Sequence, residues 1–270
     1  MISRGCLTLV LAMSLSGIAA ADVLSDAVGA SVGEFRVDET GAAVYSMGIW
    51  VPPGTAGVVP DLSLNYHSRG GNGPLGKGWS IGGQSAITRC ARTREHGDFY
   101  ANGQPVDGSF PGVNFGPGDA FCLDGQRLLL VSGDYGANQA EYRPELDPYT
   151  RVRSFGGVAG TPGYSGPHFF TVERRDGSVA HYGNSLDSRI EIAPCGAGSA
   201  QTCTNLPAVA YALNRTQDRS GNFVDYAYDE FASQFGAEHI EYVLTRVRYT
   251  GKLSGSTVVS APYAEVEFVY

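Results

Sequence analysis

The 270-residue chain is short of charge: 17% of its residues are Asp, Glu, Lys or Arg, and 27 acidic residues face 19 basic ones. Lys and Arg nowhere cluster, and the net charge is −8. That balance argues against a nucleic-acid surface, which needs a basic patch; the acidity serves solubility. No amphipathic helix of useful length can be drawn. There is no C-x-x-C pair and no His at ligand spacing from a Cys, which speaks against a zinc site. No two of His67, His96, His168, His181 and His239 stand four apart, H-E-x-x-H is missing, and so is a G-x-S-x-G nucleophile elbow. What is present points one way. With 37 Gly, 15 Tyr and 12 Phe, the composition suits short strands joined by tight turns, an all-β fold of antiparallel hairpins.

The first 21 residues read as a secretory signal peptide. Arg4 supplies the positive n-region, an apolar stretch follows, and Ala19–Ala21 precede a cut before Asp22. The apolar stretch is short for a membrane anchor and no longer one follows, so no stable membrane span is expected after its removal. The expected location is extracellular, with the periplasm in transit. Residues 22–39 read as a polar leader and residues 40–270 as one β domain. Four cysteines remain after the cut, Cys90, Cys122, Cys195 and Cys203, an even count that suits disulfides in an oxidising compartment. Cys195 and Cys203 close a short flexible loop, which leaves Cys90 and Cys122 to pair.

Hairpins recur along the domain. Asp124-Gly125 turns between two apolar segments, Asp176-Gly177 joins Phe170–Arg174 to Val179–Tyr182, and Ser220-Gly221-Asn222 leads into a strand that alternates Val224, Tyr226 and Tyr228. The last strand places Ala264, Val266, Phe268 and Tyr270 on one face, with no turn or polar cap after it. The domain therefore reads as truncated there, with an unprotected edge.

Chemistry-bearing candidates are few. Gly70–Gly78, "GGNGPLGKG", falls one residue short of a P-loop: Gly78 stands where the Mg²⁺-binding hydroxyl belongs, and strands rather than a helix flank it. Glu265-x-Glu267 resembles the pair of bacterial ADP-ribosyltransferases, but the Ser-Thr-Ser strand they also need is absent, and alternation places both on a solvent face. Ser80, Ser85, His96 and Asp98 assemble into a triad on paper only. Trp79 reads either as a sugar platform or as a core filler beside bare glycine backbone. Asn214-Arg215-Thr216 fits the glycosylation pattern and carries no weight.

Pro53-Gly54-Thr55-Ala56-Gly57, Pro60, Leu62, Leu64, Tyr66, Gly73, Gly76, Gly78-Trp79 and Ile87-Thr88-Arg89 occur in an order that closely resembles the N-terminal domain of the Salmonella virulence plasmid B protein family. That domain also opens the B component of insecticidal toxin complexes. Asp218–Asp229, with Tyr226, Tyr228 and Asp229, resembles the tyrosine–aspartate repeat of Rhs proteins. The resemblance spans roughly residues 40–270. It implies part of a curved β-shell enclosing a C-terminal toxic polypeptide, with a structural role, no catalytic residues, no cofactor and no metal. The implied partners are the remainder of the same shell or toxin polypeptide and other toxin-complex components. The alternatives are a stand-alone secreted binding module for glycans or a surface protein, and a secreted hydrolase.

Overall fold

Turn chemistry sets the connections between strands. The computed structural model describes residues 32–91, 93, 100–101, 104–105, 112–113, 115, 119–156, 166–191, 207–232 and 240–270. Residues 1–21, read above as a signal peptide, and Cys195 and Cys203 lie outside them. Chain order begins with β1 (Glu34–Val37), β2 (Ala43–Gly48), β3 (Ser63–His67), β4 (Asn72–Gly73), β5 (Gly76–Lys77), β6 (Trp79–Gly82) and β7 (Ala86–Cys90). It continues through β8 (Tyr100–Ala101), β9 (Gln104–Pro105), β10 (Ala120–Leu123), β11 (Gln126–Ser132), β12 (Glu141–Pro144), β13 (Arg151–Phe155) and β14 (Phe169–Glu173). It ends with β15 (Val179–Tyr182), β16 (Arg189–Glu191), β17 (Ala208–Gln217), β18 (Asn222–Ala232), β19 (Ile240–Ser254), β20 (Thr257–Ser260) and β21 (Ala264–Glu267). The one helical turn among the described residues is a 3₁₀ turn, Thr55–Gly57.

The β10–β11 turn has Asp124 at φ 48° and Gly125 at φ 82°, the two left-handed positions of a type I′ turn, whose twist matches the flanking strands. Asp38 and Asp218 act alike in two longer turns. Each carboxylate accepts the N–H groups two and four residues on, Thr40 and Ala42 in one turn, Ser220 and Asn222 in the other. Such side chains satisfy turn amides that no strand reaches.

Two larger sheets result. In the first, order β1-β2-β3-β6, every pair is antiparallel. Its edge strand β1 corrects the leader reading: Glu34–Val37 belongs to the sheet, in register with Ala43–Ser46. The second sheet closes on itself. β7, β10, β11, β12, β13, β14 and β15 pair in turn, and β17 joins β15 back to β7, all antiparallel. Closure removes sheet edges, and a ring of eight strands is just wide enough for side chains to fill. It is filled: Ile87, Leu128, Tyr142, Val152, Phe170 and Tyr211 are all fully buried. Phe121, Phe170 and Tyr211 meet edge to face, with centroids 4.9–6.2 Å apart. At this interior, Arg89 pairs with Asp119 at 3.2 Å, their side chains 2% and 1% exposed. β18 and β19 extend from β17, and β19 carries both β20 and β21. The all-β, antiparallel expectation holds across the described residues.

Candidate functional site

The glycine-rich stretch spends its backbone on itself. β4 and β5 form a minimal hairpin around Pro74-Leu75, with Asn72 opposite Lys77 and Gly73 opposite Gly76. The N–H of Gly70 donates to His67 O and that of Gly78 to Gly71 O, both at 2.8 Å, so neither is aimed at a ligand. Gly78 has φ 81°, and a Cβ there would lie 2.7 Å from His67 O and 2.8 Å from the Tyr66 ring. The position requires glycine for close approach, not for a phosphate cradle. Lys77 is exposed.

Trp79 is neither bare nor buried. It is half-buried, its ring 5.2 Å from Tyr66. Register extends that contact into a row across the first sheet, Phe35 opposite Tyr45, Tyr45 opposite Tyr66, Tyr66 opposite Trp79. On the sheet's other face, Ser46, Asn65, His67 and Ser80 border a cleft of about 310 Å³. His67 Nε2 lies 3.0 Å from Asp38, and its Nδ1 accepts the Arg69 N–H at 3.2 Å. Both ring nitrogens are engaged, so this His–Asp pair has no free nitrogen for a serine proton. Asp38 is held well below the usual carboxylate range, first by the Thr40 hydroxyl and then by the Ala42 N–H.

Of the paper triad only the serines are described. Ser85 Oγ donates to Asp124 at 2.7 Å and meets Tyr182 OH at 2.9 Å; His96 and Asp98 lie outside the described residues. Glu265 and Glu267 project from the exposed face of β21, as alternation predicts, and ion-pair with Arg246 and Arg248. Cys90 and Cys122 are joined by a disulfide between β7 and β10, Cα atoms 5.9 Å apart. Among the described residues no group of three His, Cys, Asp or Glu could hold a metal ion.

The tyrosines of β18 face the core. Tyr226 and Tyr228 are 8% and 4% exposed, and Tyr228 OH donates to Leu213 O at 2.8 Å. Burial pushes the Tyr226 phenol up to about 12. Asp229 is exposed. The opposite face carries a feature that sequence periodicity does not reveal. In register across eight strands stand Glu141, Arg153, Thr171, His181, Arg215, Asp225, Arg248 and Glu265. Only pairing order, set by the ring closure, puts these residues side by side.

This fold has counterparts. Residues 37–100 match the family model of the Salmonella virulence plasmid 65kDa B protein. Pro53 to Arg89, on which the sequence resemblance rests, lie inside that match. Among solved structures, the crystal structure of TcdB2-TccC3 is 21% identical with a TM-score of 0.58, covering 85% of this chain and 11% of that one. The Photorhabdus luminescens Tc holotoxin pore gives 20% and 0.58, covering 86% and 11%. The N-terminal domain of the effector SpvB from Salmonella typhimurium strain LT2 gives 19% and 0.51, covering 80% and 66%. At these identities the likeness is one of fold. The chain spans about a tenth of the length of the toxin-complex chains it matches, 11% of the first. No curated protein matches it.

Proposed function

We propose that this chain is a non-enzymatic structural segment of a secreted, toxin-complex-like bacterial protein, and that it contributes β-structure to a shell around a C-terminal toxic polypeptide. The observation that carries the reading is the family match at residues 37–100 together with a shared fold over more than four-fifths of the chain. The chemistry agrees with it. Histidine 67 is tied at both nitrogens, Ser85 is tied to Asp124, and Glu265 and Glu267 are tied to arginines. The interior of the eight-stranded ring is packed with side chains, so an enclosed polypeptide would lie against its outer face and not within it. The partners of this segment are then further β-structure of the same polypeptide and other components of the complex.

Mass spectrometry of the mature protein from its source cells tests the proposal. A secreted polypeptide carrying residues 33–270 within a longer β-rich chain is the expected result. A mature protein ending at Tyr270 overturns the shell role. Limited proteolysis then probes enclosure: the C-terminal part of that longer chain should resist protease until the shell is unfolded.

The second reading, a secreted binding module, is favoured by one observation, the half-exposed row from Phe35 to Trp79.

A further inference from the structure

The outer face of β15, β17, β18 and β19 holds a cleft of about 710 Å³. Its floor is the middle of the cross-strand ladder, His181, Arg215, Asp225 and Arg248. Ala227, in register with Arg246, keeps the floor low, and the exposed turn residue Ser256 lines the mouth.

Charge bookkeeping limits what can bind there. Arg215 grips Asp225 at two points, 2.5 and 2.8 Å. Arg246 and Arg248 face Glu265 at 3.2 and 3.3 Å, and Arg246 also faces Glu267 at 3.1 Å. Each guanidinium is therefore answered by a carboxylate, which leaves little net attraction for an anion. Burial, and then Arg215, lower the His181 pKa and favour the neutral ring. What the cleft offers is hydrogen bonding from planar groups already fixed in position. His181 Nδ1 is buried within that floor and has no hydrogen-bond partner among the described residues. The planar amides of Asn184, Asn214 and Gln217 line the same cleft, and beside them the paired guanidiniums keep N–H groups that their carboxylates do not use; such groups suit the adjacent hydroxyls that a sugar ring presents. The ladder repeats at the strand spacing, about 4.8 Å, close to the length of one sugar unit in an extended glycan.

We propose that this cleft binds a neutral glycan, laid across the strands with successive sugar units over successive ladder residues. The site belongs to the chain whether or not the chain is part of a shell.

Calorimetry of the full chain with neutral oligosaccharides, and with uronic-acid and sulfated ones, tests this. Neutral ligands should bind with little salt dependence. Ala227→Phe fills the cleft without removing a hydrogen bond, and should weaken binding by at least about tenfold while circular dichroism stays unchanged. Ser256→Trp, at the exposed turn, narrows the mouth and supplies the same test should Ala227→Phe unfold. Failure of every neutral oligosaccharide to bind at millimolar concentration overturns the proposal. So does binding that both variants leave intact, or binding confined to the anionic ligands and abolished by salt.

Discussion

Two seams of the ring have only two pairs in register, β12–β13 and β10–β11, the latter through Cys122 with Arg127 and Leu123 with Gln126. The neighbouring β7–β10 seam has four such pairs. Beyond the two pairs a side chain takes over. Tyr135 OH accepts the Phe121 N–H at 2.7 Å and donates to Leu128 O at 3.2 Å, so one hydroxyl splices the two backbones. Phe121 and Leu128 are 2% and 0% exposed, which leaves their backbone groups little access to water. Tyr135→Phe keeps the ring, its stack on Phe121 at 5.8 Å and its edge contact with Tyr142 at 5.2 Å, and removes the splice. Two buried backbone groups then lose their partner. At about 2 kcal/mol each the ceiling is about 4 kcal/mol, and relaxation or a captured water lowers it to roughly 2–4 kcal/mol. For a chain of this size that is a fall in Tm of roughly 5–12 °C. Urea unfolding gives the energy, and hydrogen exchange at the Phe121 amide gives the location. A variant within about 0.5 kcal/mol of wild type, with the Phe121 amide still protected, would refute the splice.

The Cys90–Cys122 disulfide closes a loop with sequence separation 32, and loop entropy predicts a loss of about 3–4 kcal/mol for the Cys90→Ser, Cys122→Ser pair in chemical unfolding; an unchanged midpoint contradicts this. Arg89→Met removes the guanidinium that pairs with the buried Asp119 carboxylate and should cost about 3–5 kcal/mol, whereas Arg89→Met with Asp119→Leu should recover most of it; equal losses in the two variants would show that the pair is not the cause. The His181 pKa is lowered from its ordinary 6.5, first by burial and then by Arg215, so the fold favours the neutral ring. The unfolded chain then binds more protons, and this contribution to stability is present above about pH 6.5 and lost as pH falls below it; Tm should drop between pH 7.5 and 5, less steeply in His181→Gln, and equal slopes would rule the residue out.

How much of this was legible before any coordinates depends on the range over which each feature is determined. The Asp124-Gly125, Asp176-Gly177 and Ser220-Gly221-Asn222 turns were legible because their residues favour a left-handed φ locally; the turn that Asp38 closes was not, because it fell within the stretch read as a leader. The solvent-facing role of Glu265 and Glu267 was legible because alternation along one strand decides it. Strand β1 was missed because Glu34–Val37 is four residues long and its residues gain order only by lying opposite Ala43–Ser46. The contact of Asp38 with His67, and of Arg89 with Asp119, joins residues 29 and 30 positions apart, and nothing local marks them as pairs. The ladder is the extreme case. Its eight members come from eight strands, and a slip of one residue in any pairing would turn that strand's polar residue toward the packed interior. The interior in turn forbids the slip, because Tyr142, Val152, Phe170 and Tyr182 must face inward to fill the ring. The core thus specifies the outer surface. In β12–β15, β17 and β18, inward aromatics and aliphatics fix the register that brings Glu141, the arginines, His181 and Asp225 into one row, and any ligand of that row depends on packing it never touches.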